Sequence, residues 1–152
     1  MEKERLNYKE IAPDGVRALG NLEAYVRSSG LGKSLLELVK LRASQINGCA
    51  YCIDMHTKDA RARGETEQRL YLLNAWRESP QYTDRERTAL AWTESLTLIS
   101  ENHVPEEIYE HAKNFFSEKE IVDLTLAVIA INSWNRLAIT FRTTPGTYKA
   151  AI

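Results

Sequence analysis

ELVKLRASQINGCAYCIDMH, residues 37–56, joins an apolar helical run to a close-spaced cysteine pair through a single Asn-Gly step. Asn47-Gly48 is a helix-stop signal, because both residues tolerate the left-handed geometry of a C-terminal cap. Cys49 and Cys52 are the only two cysteines of the chain, and His56 follows four residues after the second. Spacing of i, i+3 and i+7 sets Cys49, Cys52 and His56 along one side of a helix. That helix is expected to open at Cys49, with Cys52 in its first turn. Unpaired N–H groups and the positive end of the macrodipole favour a thiolate over a thiol there.

Working outward from this stretch, residues 1–13 read as an extended arm ending at Pro13. Asp14 is a fair N-cap for a helix over about 15–29, with Val16, Leu19, Leu22 and Val26 at helical spacing. Gly30 and Gly32 break it. A second helix, about 33–47, carries Leu35, Leu38, Val39 and Ile46 on one side. Leu36, Leu41 and Ala43 widen that surface, so contacts on more than one side are expected. Arg42 projects near the middle of it and calls for a partner, an interface or a snorkelling side chain. Downstream, the third helix ends before Gly64, and a fourth spans about 66–78. Thr83-Asp84-Arg85-Glu86 is a capping box opening a fifth helix to about Ser100. Pro105 at N1 starts a sixth through Phe116. Ser117-Glu118-Lys119-Glu120 opens the longest, about 118–142, apolar nearly all round from Ile121 to Ile131 and so expected centrally or at a subunit interface. Pro145-Gly146 ends it and leaves a short tail. No stretch alternates with period two, so no sheet is predicted. The expectation is one all-α domain, residues 1–152, of six to seven helices.

The gross numbers exclude several classes. With 152 residues, 43% hydrophobic and 27% charged, the chain has an ordinary globular composition. A net charge of −1 offers no nucleic-acid footprint. The N-terminal residues contain no apolar run of the secretory kind. The most apolar stretch, Val122–Ile131, reads as too short for a bilayer and includes Asp123 and Thr125. A cytoplasmic location is therefore expected, and there a close cysteine pair points to catalysis or metal binding rather than to a structural disulfide.

Three readings of the Cys-x-x-Cys stay open on the residues alone: dithiol redox work, half of a zinc site, or inert core thiols. Thioredoxin-like chains place the pair after a strand, whereas here an amphipathic helix precedes it. For zinc, Cys49, Cys52 and His56 supply three ligands and only a carboxylate such as Glu37 completes four. His56 lies one turn beyond Cys52, and its ordinary pKa near 6.5 suits it to act as a base. Asp59 reads as a solvated carboxylate, with orientation of His56 as the alternative. On a helical wheel Glu37 falls beside Lys33, Lys40 and Ser44, which predicts a solvent-facing charge. His103 and His111 read as surface residues. Asn132, Asn135 and Arg136 read as groups fixing helix packing or an interface rather than lining a pocket. Lys58, Arg61, Arg63 and Arg69 read as a solvated face rather than a steering patch.

Glu37, eleven residues, Cys49-x-x-Cys52, three residues and His56 resembles the signature of the AhpD-like alkylhydroperoxidases within the carboxymuconolactone decarboxylase superfamily. The similarity continues through Trp92-Thr93-Glu94 and Ile131-Asn132-Ser133-Trp134-Asn135-Arg136, so it covers most of the chain. The resemblance implies an orthogonal helical bundle that assembles into homo-oligomers, trimers or hexamers in many relatives, and a cofactor-free peroxidase without a metal. Carried over by position, Cys52 is the attacking thiolate, Cys49 the resolving thiol, and Glu37 with His56 the proton relay. It further implies a peroxide substrate and a dithiol reductant, a lipoyl protein in better-known relatives or a thioredoxin-like protein. Some members carry a second histidine directly before the attacking cysteine; Tyr51 stands there, and a phenol is a poor base at neutral pH. Decarboxylases of the superfamily generally lack the cysteine pair, so decarboxylation is not expected. Two other readings compete: a redox-responsive regulatory oligomer with little turnover, and a metal-binding module on Cys49, Cys52, His56 and Glu37.

Overall fold

The computed structural model describes residues 3–150 and contains nine α-helices and no strand among them. In order they are α1 (Tyr8–Ile11), α2 (Pro13–Ser28), α3 (Lys33–Asn47), α4 (Ala50–Ala62), α5 (Glu67–Leu72), α6 (Asp84–Thr97), α7 (Ile99–Asn102), α8 (Glu106–Lys113) and α9 (Glu118–Phe141). Seven have six residues or more, matching the expected count of six to seven. The additional two, α1 and α7, are four-residue turns too short to show a period.

The signals that fix α3, α6 and α9 are local. Both expected capping boxes form, with Thr83 and Ser117 each accepting from the N3 amide while Glu86 and Glu120 reach back. Each box satisfies two otherwise orphaned donors and sets the first residue of its helix. Elsewhere the boundaries move. The expected arm over 1–13 contains α1, and α2 begins at Pro13 with no side-chain cap from Asp14. The fourth predicted helix ends early: after Leu72 the chain tightens into a 3-10 turn over Leu73–Ala75. The fifth breaks at Leu98, and Pro105 is an N-cap rather than N1.

Helix α3 is the axle. Its Leu35, Leu36 and Val39 join Val26 of α2, Trp92 of α6 and Leu124 and Val128 of α9 in one buried cluster. Leu38 and Leu41 join Leu70, Leu73, Trp76 and Leu90 in a second. Ala43 meets Cys49, Cys52, Ile131 and Ala138 in a third. A helix that feeds three clusters has no solvent face along its middle, so polar residues there must find partners inside. Arg42 does so, donating from Nε to Glu94 Oε1 at 2.8 Å, and the same carboxylate oxygen accepts from Trp76 Nε1 at 2.8 Å.

Helix α9 is longer than the apolar stretch suggested and, by length and composition, apolar enough to cross a membrane. It packs on α2, α3 and α6, which bury Leu124, Ala127, Val128 and Ile131 among others. After α9 the chain does not trail away. Gly146 N donates to Asp54 Oδ2 at 3.0 Å, Lys58 Nζ to the Tyr148 carbonyl at 3.0 Å, and Tyr148 Oη to Asp59 Oδ1 at 2.8 Å. The tail is thereby strapped along α4, one side of which bears the cysteines.

Candidate functional site

The cysteines owe their placement to the hinge between α3 and α4. Gly48 has φ +68° and ψ 32°, a left-handed cap that an L side chain rarely adopts. The chain turns back so tightly that Cys49 N donates to Ser44 O at 3.0 Å. Cys49 is then the N-cap of α4 rather than its first residue, and Cys52 stands at N3. Their sulfurs are 2.7 Å apart, both reduced, and each residue is 1% exposed.

At that separation the pair shares its charge unequally. An ionised Cys49 can accept from the Cys52 thiol, and this bond lowers the pKa of Cys49 to about 7 against the opposition of burial. The amides of Cys52 and Tyr51 and the carboxamide of Asn135 add to the effect. Cys52, as the donor, is pushed up, with burial and the charge on Cys49 acting the same way. It is Cys49 that holds the N-cap position at the helix terminus, without a side-chain cap hydrogen bond, whereas the sequence predicted the benefit of that terminus for Cys52. The reason is geometric: the free N–H groups of a first turn point toward the N-cap side chain, not toward N3.

Glu37 corrects the helical wheel. It is 7% exposed, and its Oε2 lies 2.8 Å from His56 Nδ1 while Oε1 accepts from Arg63 Nη1 at 2.6 Å. Burial works against its ionisation, but the hydrogen bond from His56 and the charges of His56, Lys40 and Arg63 outweigh it and hold the carboxyl below its usual range. A carboxylate only accepts, so Nδ1 of His56 carries the proton and Nε2 is left as the working nitrogen. Lys40, placed with Glu37 on the expected polar face, is equally buried and ion-paired with Glu23.

Asp59 is buried rather than solvated and holds the Tyr148 hydroxyl; burial and that carboxylate push the Tyr148 phenol up to about 12. Among the described residues, Glu37, His56 and Asp59 bring potential ligand atoms within 4.8 Å of one another. The two sulfurs lie outside that group, so the metal-binding set of Cys49, Cys52, His56 and Glu37 is not assembled. His103 and His111 are exposed as expected. Lys58, Arg61, Arg63 and Arg69 each pair with an acidic side chain instead of forming a free basic face.

A cavity of about 240 Å³ opens beside the pair. Cys52, Glu37 and His56 line it and Cys49 does not. Tyr8, Tyr51, Trp134 and Tyr148 give it an aromatic wall. Burial pushes the Tyr51 phenol up, which makes it a donor rather than a base. Several residues of this site were not read from the sequence as such, Tyr8 and Trp134 of the aromatic wall among them. Tyr148 comes from the tail. Asn135, assigned to helix packing, does pack α9 against α3, through Asn47 and Ser44, and its side chain favours a negative sulfur at Cys49 and Cys52.

Residues 13–95 match the family model described as the carboxymuconolactone decarboxylase family. An uncharacterized Bacillus subtilis protein, YdfG, is 47% identical over 136 residues, which cover 90% of this chain and 92% of that one. A crystal structure from Agrobacterium tumefaciens, a protein of unknown function linked by name to AhpD antioxidant defence, superposes with a TM-score of 0.92 at 46% identity, covering 96% of this chain and all of that one. A peroxidase-related protein of Silicibacter, uncharacterized and 24% identical, shares the fold with a TM-score of 0.77 over 86% of this chain and 70% of its own. With the Cys-x-x-Cys pair on the same all-helical frame, the chain belongs to the carboxymuconolactone decarboxylase family, in its AhpD-like part.

Proposed function

We propose that this protein is a cofactor-free thiol peroxidase that reduces hydrogen peroxide or organic hydroperoxides through Cys52 and Cys49. The observation that carries the reading is the reduced sulfur pair, 2.7 Å apart, with Cys52 facing the cavity that Glu37 and His56 also line. In the first step the Cys52 proton passes to the Cys49 thiolate as the Cys52 sulfur attacks the peroxide. The S–O bond forms, the O–O bond breaks, and the departing alkoxide or hydroxide takes a proton delivered through His56, whose Nδ1 is steadied by Glu37. Cys52 is then a sulfenic acid, oxidised by two electrons while the peroxide is reduced to an alcohol or water. The proton that Cys49 received passes to the sulfenic hydroxyl as the Cys49 sulfur attacks Cys52; the S–O bond breaks, water leaves and the disulfide closes. An external dithiol, of the lipoyl or thioredoxin class, reduces it and leaves as its own disulfide.

The proposed setting is the cytosol, where such reductants keep thiols reduced. The proposed assembly is a homo-oligomer, supported by Val122, Ile129 and Ile139, large apolar residues that α9 leaves exposed. Peroxide consumption by Cys52→Ser and Cys49→Ser tests the chemistry. Cys52→Ser should lose turnover and form no sulfenic acid, while Cys49→Ser should consume about one equivalent and stop at the sulfenic acid. Retained turnover in Cys52→Ser overturns the assignment.

A further inference from the structure

The cavity beside Cys52 is larger than a peroxide group alone requires. Hydrogen peroxide is little bigger than a water molecule, whose share of the liquid is about 30 Å³, and would occupy a small part of about 240 Å³. That volume falls short of the roughly 300–1,000 Å³ of pockets for drug-sized ligands and suits a body of one ring. Tyr8, Tyr51, Met55, Trp134 and Ala138 offer such a body apolar surface. Charge is distributed unevenly around it. Lys9 and Arg27 are the exposed members of the lining, so they stand where the cavity meets solvent, and both are cations. The acids of the lining are less exposed and already engaged. Glu23 holds Lys40, Glu37 holds His56 and Arg63, and Asp59 accepts from the Tyr148 hydroxyl. Arg27 reaches Glu23 only with Nε, at 3.5 Å, and its side chain is 67% exposed. Its two terminal NH2 groups have no partner among the described residues, and Lys9 has no acidic one. Cys52 and His56, by contrast, are 1% and 5% exposed, so the cavity has a cationic rim and a sheltered reactive floor.

We propose that the substrate is an organic hydroperoxide that bears a carboxylate, its apolar body filling the aromatic cavity and its anion held at the rim by Arg27 and Lys9. The hydroperoxide group then points inward to Cys52. This names the substrate class of the site and so rests on the peroxidase reading. A guanidinium with two free NH2 ends matches a carboxylate through paired hydrogen bonds, and a second cation on the rim adds a point charge. The two unlike ends of such a molecule also fix its direction. A carboxylate driven inward would lose its water and meet Glu37 and Asp59, whereas at the rim it stays partly hydrated. The wall thereby serves orientation as well as affinity, because the O–O bond must face the sulfur that borders the cavity. Hydrogen peroxide uses neither the rim nor the wall and should be the poorer substrate.

The test begins with binding, which needs no turnover. Para-isopropylbenzoate and its neutral carboxamide, titrated calorimetrically into the reduced protein, share their shape and differ in charge. The carboxylate should bind about five- to tenfold tighter, the yield of two partly exposed ion contacts. In the double variant Lys9→Gln with Arg27→Gln, and in wild type at about 1 M salt, that ratio should fall to about one. Seated in the cavity, the carboxylate should also slow alkylation of Cys52. Equal affinity for the two ligands, a preference that survives in the double variant, or binding that leaves Cys52 as reactive as before overturns the proposal. Turnover supplies the second arm. The hydroperoxide formed at the isopropyl carbon of the same benzoate should exceed cumene hydroperoxide in kcat/KM by a similar factor in wild type and match it in the double variant. If the double variant slows only the reduction of the disulfide by an external dithiol, the cations serve the reductant and the proposal falls. Carboxylate preference without any peroxide consumption would overturn the peroxidase reading, and with it the hydroperoxide, while leaving the anion-binding rim in place.

Discussion

Replacing Cys52 with alanine tests how the charge is held on its neighbour. In the native pair the largest influence favouring the Cys49 thiolate is the hydrogen bond from the Cys52 thiol, and burial opposes it. Cys52→Ala removes the donor and keeps the burial. A hydrogen bond to a charged acceptor is worth about 1.5–3 kcal/mol, which at about 1.36 kcal/mol per unit is roughly one to two pKa units. The Cys49 midpoint should therefore climb from about 7 to between about 8 and 9, leaving the helix amides and Asn135 to keep it from rising further. At pH 7 the thiolate fraction would fall from about one half to between about a tenth and a hundredth. Ultraviolet absorbance of the thiolate against pH gives the midpoint, and alkylation followed by peptide mapping shows which sulfur reacts. In wild type one thiolate should titrate near 7, because Cys52 is pushed up by the bond it donates. A Cys52→Ala midpoint still near 7 would refute the shared-proton account, as would a Cys49→Ala protein in which Cys52 alone titrates there.

The remaining expectations concern the groups around the pair. Glu37→Gln keeps the shape of the side chain but removes the charge that steadies His56 and pairs with Arg63; peroxide turnover should fall about 100-fold in steady-state assays while the Cys49 titration stays near its wild-type midpoint. Tyr148→Phe deprives Asp59 of its hydroxyl partner and should cost about 1–2 kcal/mol, seen as a melting point lower by roughly 2–8 °C. The lowered carboxyl pKa values of Glu37 and Glu94 contribute stability that is full above the unfolded value, about 4.3, and lost as pH falls through the folded ones. The melting temperature should hold from pH 6 down to about 5 and decline below about 4.3, less steeply in Glu37→Gln; a flat profile to pH 3 would contradict the pairing seen at both sites.

What the sequence disclosed was whatever is written locally. The α3 boundaries follow from Gly32 and Gly48, and the starts of α6 and α9 from two capping boxes. A four-residue turn such as α1 carries no period and was read as an arm. Glu37 shows the deeper limit. A helical wheel ranks faces by their own residues, and the face of Glu37, Lys40 and Ser44 looks wet by that measure. Its burial depends on partners from elsewhere: His56, Arg63, Glu23 and Asn135. The family signature located Glu37 where periodicity could not. Tyr148 lay beyond both kinds of signal, since it meets Asp59 across 89 residues of chain and only the folded tail reveals the meeting.

The division of labour between the sulfurs is itself informative. Ionisation is favoured at Cys49, the N-cap of α4, and access belongs to Cys52, which lines the cavity. On the proposed reading these are complementary halves of one cycle. Attack needs the sulfur that a peroxide can reach, and the proton it sheds has a basic sulfur 2.7 Å away to receive it. Resolution needs a nucleophile that is anionic at neutral pH, and a thiol with a pKa near ambient pH is the best compromise between thiolate fraction and nucleophilicity. Reduction needs a good leaving group: an incoming dithiol reaches Cys52 through the cavity and expels Cys49, the sulfur of lower pKa, which leaves faster. Exchanging the two roles would place the sulfur that lines the cavity in the position of the stabilised anion and hide the one that must be attacked, slowing both ends of the cycle.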